Sequence, residues 1–341
     1  MPIDIAIDLG TSKTVIISGG KKVLEEPSIV SIDTDTKEPL SFGSLAKETL
    51  GRTPDSVTTV FPIEYGIIAD YGITEQMLKE YMHKAFGNHL LRPRVIVSVP
   101  TGVTAVQHRS VARAVEIAGG RNVCTIESVM ADAIGLGIDF TKPRGSMVVD
   151  IGAGITDIAT MSMGGLAVCS SIRNASNDFD EAIIRYVRRE FNVLIGRQTA
   201  ENIKIQLGSV VKRPVEVTIQ AKGRNLFTGL PQIFEVSSTD VYNAIIDNAM
   251  SICAAVKSVI EKSPPDIVSD ILSDGIYLTG GGALIYGMAD LLAKYTHTGV
   301  NMAVSPKYTV AKGAAIALKR PELLVHGDYQ FRSIQELIVD E

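Results

Sequence analysis

The sequence predicts an α/β protein built from two similar domains that face one another. Three observations carry this. The chain has 341 residues, enough for two domains at about 100–200 residues each. A unit of apolar strand, Asp, glycine turn and second strand occurs at Asp8 and again at Asp150, near the middle of the chain. Strand-like and helix-like segments then alternate after each copy, which marks layered α/β architecture.

The elements follow from local pattern. Residues 3–10 alternate apolar and polar and run into a turn, and 14–18 read as the returning strand of a hairpin. Residues 28–32 form a third β-like run. Helical spacing of Met77, Leu78, Tyr81 and Met82 predicts a helix over 73–85 with Thr74 as its cap. Residues 94–100 read as a buried strand ended by Pro100, 105–118 as a helix stopped by Gly119 and Gly120, and 123–126 as a short strand. In the second half, strands are predicted at 145–152, 158–163, 166–172 and 275–279. Helices are predicted at 178–191, 199–207 and 239–258, from Gly282 to about Leu292, and at 310–320. Lys142-Pro143-Arg144-Gly145 is the predicted boundary, giving domains at 1–143 and 144–320 and a tail at 321–341.

Composition narrows the function. Apolar residues make up 45% and charged residues 21%, which excludes a disordered chain. The net charge of −5 lacks the basic footprint of a nucleic-acid binder. Cys124, Cys169 and Cys253 form no CxxC pair and read as buried thiols of a reducing cytosol. No apolar run reaches the length of about 18 residues that a spanning helix needs, and no signal-peptide core stands at the N-terminus.

Three glycine turns point to phosphate: Asp8 to Thr14, Asp150 to Asp157 and Thr279 to Ala283. Glycine lets backbone N–H groups approach an anion closely. Asp8 and Asp150 cannot sit against phosphate themselves but can hold a hydrated Mg²⁺ that neutralises it. The third turn, a strand leading into a glycine-rich helix start, suits a base and its first phosphate. Each turn alone is a common connector. Three together, two in duplicated position, point to a nucleotide. GxxxxGK[ST] is absent, which excludes a P-loop.

These motifs resemble the actin/Hsp70/sugar-kinase ATPase superfamily. IDLGTSKT (7–14), RPRVIVSVPTGVT (92–104), GSMVVDIGAGITDIA (145–159), the segment 180–208 and IYLTGGGALIYGM (276–288) are similar to the bacterial actins of the MreB family, and the likeness covers about residues 3–320. The resemblance implies an actin-like ATPase fold in which each domain carries a small subdomain, at about 32–75 and 180–245, around a nucleotide cleft. It implies binding of ATP/ADP with Mg²⁺, and self-assembly into filaments. Gly10, Thr11, Ser12 and Lys13 would line the β- and γ-phosphates from one side, and Gly152, Ala153, Gly154 and Thr156 from the other. Asp8 and Asp150 would order the water shell of Mg²⁺. Glu201 and Lys204 would flank the ribose and adenine above Gly280, Gly281 and Gly282. Lys13 stands where MreB commonly has Asn; it reads equally as a phosphate ligand or a solvated turn lysine.

The sequence departs from the family at the chemistry. The water-positioning Glu aligns with Ser128 and the Thr with Ile155, and neither replacement can do the same work. Glu127 is the fallback, one residue away. Residues 173–178 replace a Gly-Gly-Asp stretch near the sugar. These departures imply slow hydrolysis. A sugar-type kinase of the same superfamily is the alternative; it needs an acidic base and inserted substrate loops, which the sequence does not display. Leu90 and Leu91, beside Arg92 and Arg94, match a family loop that dips into the inner face of the cell membrane. Partners are then the chain itself, that membrane and other MreB-type proteins. A short helix is predicted in the tail at 334–339, capped by Ser333.

Overall fold

The computed structural model describes residues 4–87, 92–320 and 332–333. The two glycine-turn hairpins form and are built alike. Asp4–Leu9 pairs antiparallel with Lys13–Ser18, and Ser146–Ile151 with Thr156–Ser162. A third antiparallel strand extends each hairpin, Lys21–Pro27 in one and Gly165–Ile172 in the other. On its other side each leading strand takes a parallel neighbour, Arg94–Val99 or Ile276–Thr279, and then a second one, Arg121–Glu127 or Val300–Met302. The two sheets therefore share one strand order. The inner parallel strands, Arg94–Val99 and Ile276–Thr279, are nearly continuous apolar runs because helices cover both faces; Val95 to Val99 are all buried.

Each sheet carries a small three-stranded attachment. In the first half Val30–Asp33 joins Pro39–Phe42 and Val57–Val60 beside the helix Ser44–Thr49. In the second half Val193–Leu194 joins the hairpin Thr218–Asn225 and Pro231–Ser237 beside the helix Arg197–Leu207. These attachments rise on either side of the cleft.

A separate core joins the halves. The helices Ser128–Leu136 and Thr309–Lys319 lie between the sheets, packing on Ala6, Val15 and Ile96 of the first and on Val148, Ala159 and Met161 of the second. Their axes approach closely at Gly135 and Gly313. A Cβ at Gly313 would stand 2.6 Å from the carbonyl carbon of Ala131, which only glycine permits.

Several sequence expectations change. The run at 28–32 is the strand Val30–Asp33, and a strand the sequence pattern does not announce, Lys21–Pro27, precedes it; the charges of Lys21, Lys22, Glu25 and Glu26 hide it, an edge strand with one wet face. The helix at 73–85 is Tyr71–Phe86. Its cap is Asp70, whose carboxylate accepts from Ile73 N at 3.0 Å, while Thr74 is buried in the first turn and donates to the Asp70 carbonyl at 2.6 Å. After the third glycine turn a 3-10 turn, Gly281–Leu284, comes first and the helix starts at Met288–Thr296; Gly287, at φ +81°, separates them. Of the three thiols only Cys253 is buried, and Cys169 is exposed on its edge strand. The helix Ser238–Lys262 is long and apolar enough to cross a membrane, yet its stripe Val241, Ile245, Ala249, Ile252, Val256 and Val259 is buried in the second core. In the tail Ser333 pairs as a strand with Cys124; 334–339 lie outside the described residues.

Candidate functional site

A cavity of about 440 Å³ opens between the halves, where both glycine turns and the third turn meet. The two hairpin turns are internally equivalent. Gly10 N donates to Lys13 O at 3.1 Å, and Gly152 N donates to Ile155 O at 2.9 Å. A Cβ at Gly10 or Gly152 would stand 2.8 or 2.9 Å from that same carbonyl oxygen, so both turns are too tight for a side chain there. The turns also touch each other. A Cβ on Gly154 would meet Thr11 Oγ1 at 2.7 Å, and Thr11 Oγ1 accepts from Gly66 N at 2.8 Å. Asp8, Gly10, Thr11, Ser12 and Lys13 line the cavity from one half, and Asp150, Gly152, Ala153, Gly154 and Ile155 from the other.

Gly280, at φ +86°, and Gly281 form part of the floor. A Cβ on Gly280 would collide with the Asp150 carboxylate and the Ile151 carbonyl. Gly282 and Thr156 are buried behind the wall and do not line the cavity. The Thr156 hydroxyl donates to Asn174 O at 2.8 Å, so its side chain is taken up by the strand connection rather than by the cavity. Of the pair expected at ribose and adenine, Glu201 and Lys204 both line the cavity. Lys204, 9% exposed, donates to Asp180 at 2.7 Å and to the Ser176 carbonyl and hydroxyl at 2.9 and 2.8 Å. Glu201 pairs with Lys47 across the cleft mouth at 3.0 Å. Arg197 over the Phe61 ring and Arg173 over the Tyr65 ring, 5.5 and 4.9 Å to the centroids, continue that seam.

Lys13 is partly exposed and already paired. Its ammonium donates to Glu25 at 2.6 Å and sits 4.2 Å from the Tyr308 ring centroid. Tyr308 Oη and Lys22 also bond Glu25. Burial pushes the Glu25 carboxyl up, but the bonds from Lys13 and Lys22 outweigh it and bring its pKa to about 2.

The carboxylates have the opposite environment. Burial raises the Asp8 pKa, while Ser98 Oγ, donating at 3.0 Å, and the charge of Lys13 oppose it. Burial, then the charges of Asp157 and Asp8, raise Asp150; burial, then Asp150 and Asp8, raise Asp132, which lies fully buried behind them on the joining helix. Asp157 is raised to about 7, chiefly by burial. Asp150 Oδ1 is buried with no hydrogen-bond partner among the described residues. Both Asp132 oxygens and Asp157 Oδ1 are likewise buried without a partner among the described residues. Converging acidic oxygens of this kind fit a hydrated divalent cation, which would relieve both the repulsion and the missing bonds.

Ser128 lines the cavity and donates its hydroxyl to Val99 O at 3.0 Å; Ile155 lines it beside Pro100. Glu127, the last residue of its strand, is not among the lining residues. Leu90 and Leu91 lie outside the described residues. Sequence reasoning assigned no role to Ser98, Glu25, Lys47, Asp157 or Tyr308. Ser98 was findable as the polar break in an apolar strand, and Asp157 stands in the second glycine turn itself; the others reach the cavity only through folding.

Known proteins share this fold. The family model described as MreB/Mbl protein matches residues 2–326. The chain is 41% identical over 331 residues to the cell shape-determining protein MreB of Escherichia coli, covering 95% of each chain. It is 40% identical over 323 residues to the cell shape-determining protein Mbl of Bacillus cereus, covering 94% of this chain and 97% of the relative. Among solved structures it resembles MreB5 of Spiroplasma citri bound to ADP, with TM-score 0.90, 30% identity, and 94% and 98% of the two chains covered. The same protein bound to AMPPNP gives TM-score 0.89. Matched along nearly its whole length by sequence and by an actin-like fold, the chain belongs to the MreB/Mbl family.

Proposed function

We propose that this chain is an ATP- and ADP-binding, actin-like subunit that polymerises into filaments at the cytoplasmic face of the cell membrane, supports cell shape and hydrolyses ATP slowly. The contact of the two equivalent glycine turns at Thr11 and Gly154, flanked by Asp8 and Asp150, carries the reading. Backbone N–H groups of both turns would hold the β- and γ-phosphates, and Lys13 would add a cation once released from Glu25. Asp8 and Asp150 would hold Mg²⁺ through water; the ion would supply charge neutralisation of the phosphates. Glu201 and Lys204 border the end of the cavity where a ribose and base would lie. The nucleotides in the S. citri structures support this reading, as do the cell-shape names of the relatives.

Self-assembly follows from symmetry. A subunit whose head contacts another's tail makes a heterologous interface that does not close, and so a filament. Other MreB-type chains would be compatible neighbours. The loop carrying Leu90 and Leu91 would contact the bilayer, weakly for one subunit and by avidity for a filament. Slow turnover is read from Ser128 and Ile155, which cannot aim a water as Glu and Thr do. The kinase alternative has no observation in its favour beyond the shared fold. The test is electron microscopy and sedimentation with ATP, ADP or no nucleotide, each with Mg²⁺. Nucleotide-dependent filaments are expected; monomers under all three conditions, across salt and concentration, refute the proposal.

A further inference from the structure

The cation of the first glycine turn faces the cavity but is held by a carboxylate beside it. Asp8, Val15 and Glu25 stand opposite one another across three neighbouring strands, so they project from one face of the sheet, and Lys13, two residues before Val15, shares that face. Asp8, Lys13 and Glu25 all line the cavity. The Lys13 ammonium is nonetheless bound sideways, to Glu25 at 2.6 Å, in a pair whose side chains are 27% and 30% exposed. An ion pair open to solvent is weak, so a stronger anion can break it. A terminal phosphate is such an anion, with up to about two negative charges and several acceptor oxygens. Glu25 can release Lys13 without being left unpaired. Lys22 also bonds its carboxylate, and Tyr308 Oη donates to it at 3.0 Å. Tyr308 is fixed from the other side of the cavity. It ends the 3-10 turn Pro306–Tyr308, whose Pro306 carbonyl accepts from Gly280 N at 3.2 Å.

We propose that the Lys13–Glu25 pair is an autoinhibitory contact of the cavity: Glu25 competes with the phosphates of a nucleoside triphosphate for Lys13, and so sets how tightly the chain holds the nucleotide. The proposal rests on the nucleotide reading of the cavity. Binding then exchanges one ion pair for another, and the observed affinity is the intrinsic one reduced by the fraction of chains in which Lys13 is free. Lys22 and Tyr308 make the exchange reversible, because they keep Glu25 in place to recapture Lys13 when the nucleotide leaves. The Tyr308 ring lies against both ammonium groups, 4.2 Å from Lys13 and 4.6 Å from Lys22, and so gives the two cations a common platform.

The plainer account is that Glu25 only repels a polyanion, and a double-mutant cycle separates the two. The full-length chain is prepared unchanged and as Glu25→Gln, Lys13→Asn and the double variant, and affinity is read with a fluorescent ATP analogue and Mg²⁺. Glu25→Gln should bind about fivefold more tightly, the factor that breaking a partly exposed ion pair can release. In the Lys13→Asn background the same change should leave affinity where it was, because no lysine remains to be freed. Unchanged or weaker binding by a folded Glu25→Gln overturns the proposal. An equal gain in both backgrounds also overturns it and assigns simple repulsion. Glu25→Asp keeps the charge and shortens the reach to Lys13; it should tighten binding by a smaller factor. If Glu25→Gln fails to fold, no gain in Glu25→Asp overturns the proposal. ATP binding by none of the four chains refutes the nucleotide reading itself, whereas binding by the unchanged chain with no gain in the variants refutes the competition alone.

Discussion

Replacing Gly313 by Ala tests how the two halves are joined. In an exposed helix the change would stabilise by about 1 kcal/mol, because alanine is the better helix former. Here the opposite sign is expected. The new Cβ would overlap the Ala131 carbonyl group, 2.6 Å from its carbon, and stand 2.8 Å from Gly135 N. Both obstacles are backbone of the facing helix, so no side chain can swing aside. The helices must separate, and with them Ala131, Ala314 and Ala317, all fully buried. Overpacking of a close-packed interior costs about 1–3 kcal/mol, and a backbone obstacle places this case at about 3. With a urea slope of about 3 kcal/mol per molar, the midpoint should fall by about 1 M. Nucleotide affinity should fall too, since these helices set the two sheets, and so Asp8 and Asp150, in register across the cavity. Gly165→Ala is the control: no heavy atom lies within 4 Å of its Cβ position, so the midpoint should not move. Urea unfolding followed by circular dichroism decides. A Gly313→Ala midpoint equal to or above that of the unchanged chain would refute the crossing geometry.

Three further outcomes are expected. Ser128→Glu combined with Ile155→Thr should raise steady-state phosphate release by up to about 10²–10³-fold, without multiplying two separate gains because the groups act as a unit; a rate left slow while ATP still binds refutes the water-positioning account. Stability should depend on pH through Asp157, whose folded pKa of about 7 lies above its ordinary value. Between about pH 4 and pH 7 the folded chain keeps a proton there that the unfolded chain releases, so this group's contribution falls as pH rises, by about 1.4 kcal/mol per unit at most. Asp157→Asn should flatten the urea midpoint between pH 5 and pH 7 relative to the unchanged chain, and parallel pH profiles would refute the assignment. Flotation of the polymerised chain with anionic liposomes should fall when Leu90 and Leu91 both become Ser; undiminished flotation of a folded double variant removes the membrane loop.

Much of the fold and site was legible in the sequence, because the signals were local. Apolar strands ending in Asp and glycine announced both hairpins, and the constraint behind them is short-ranged: Gly10 lies under Lys13 O and Gly152 under Ile155 O, three residues on in each case. The duplication was visible for the same reason, and it reappears as one shared strand order in two sheets. Edge strands were harder. Lys21–Pro27 carries charges on its wet face, so periodicity fails where burial is one-sided. What tertiary structure alone decided was which distant side chains meet. Nothing near Lys13 in sequence says that Glu25 and Tyr308 will hold it, or that Glu201 will face Lys47 across the cleft. The same holds for the carboxyls. Asp8, Asp132, Asp150 and Asp157 read as ordinary acids in a chain of net charge −5, and only their packing around one cavity raises their pKa values. Backbone preference and hydrophobic period act over a few residues and are written in the sequence. Electrostatic coupling and steric closeness act through space, and exist only once the sheets have been brought together by helices that cross at two glycines.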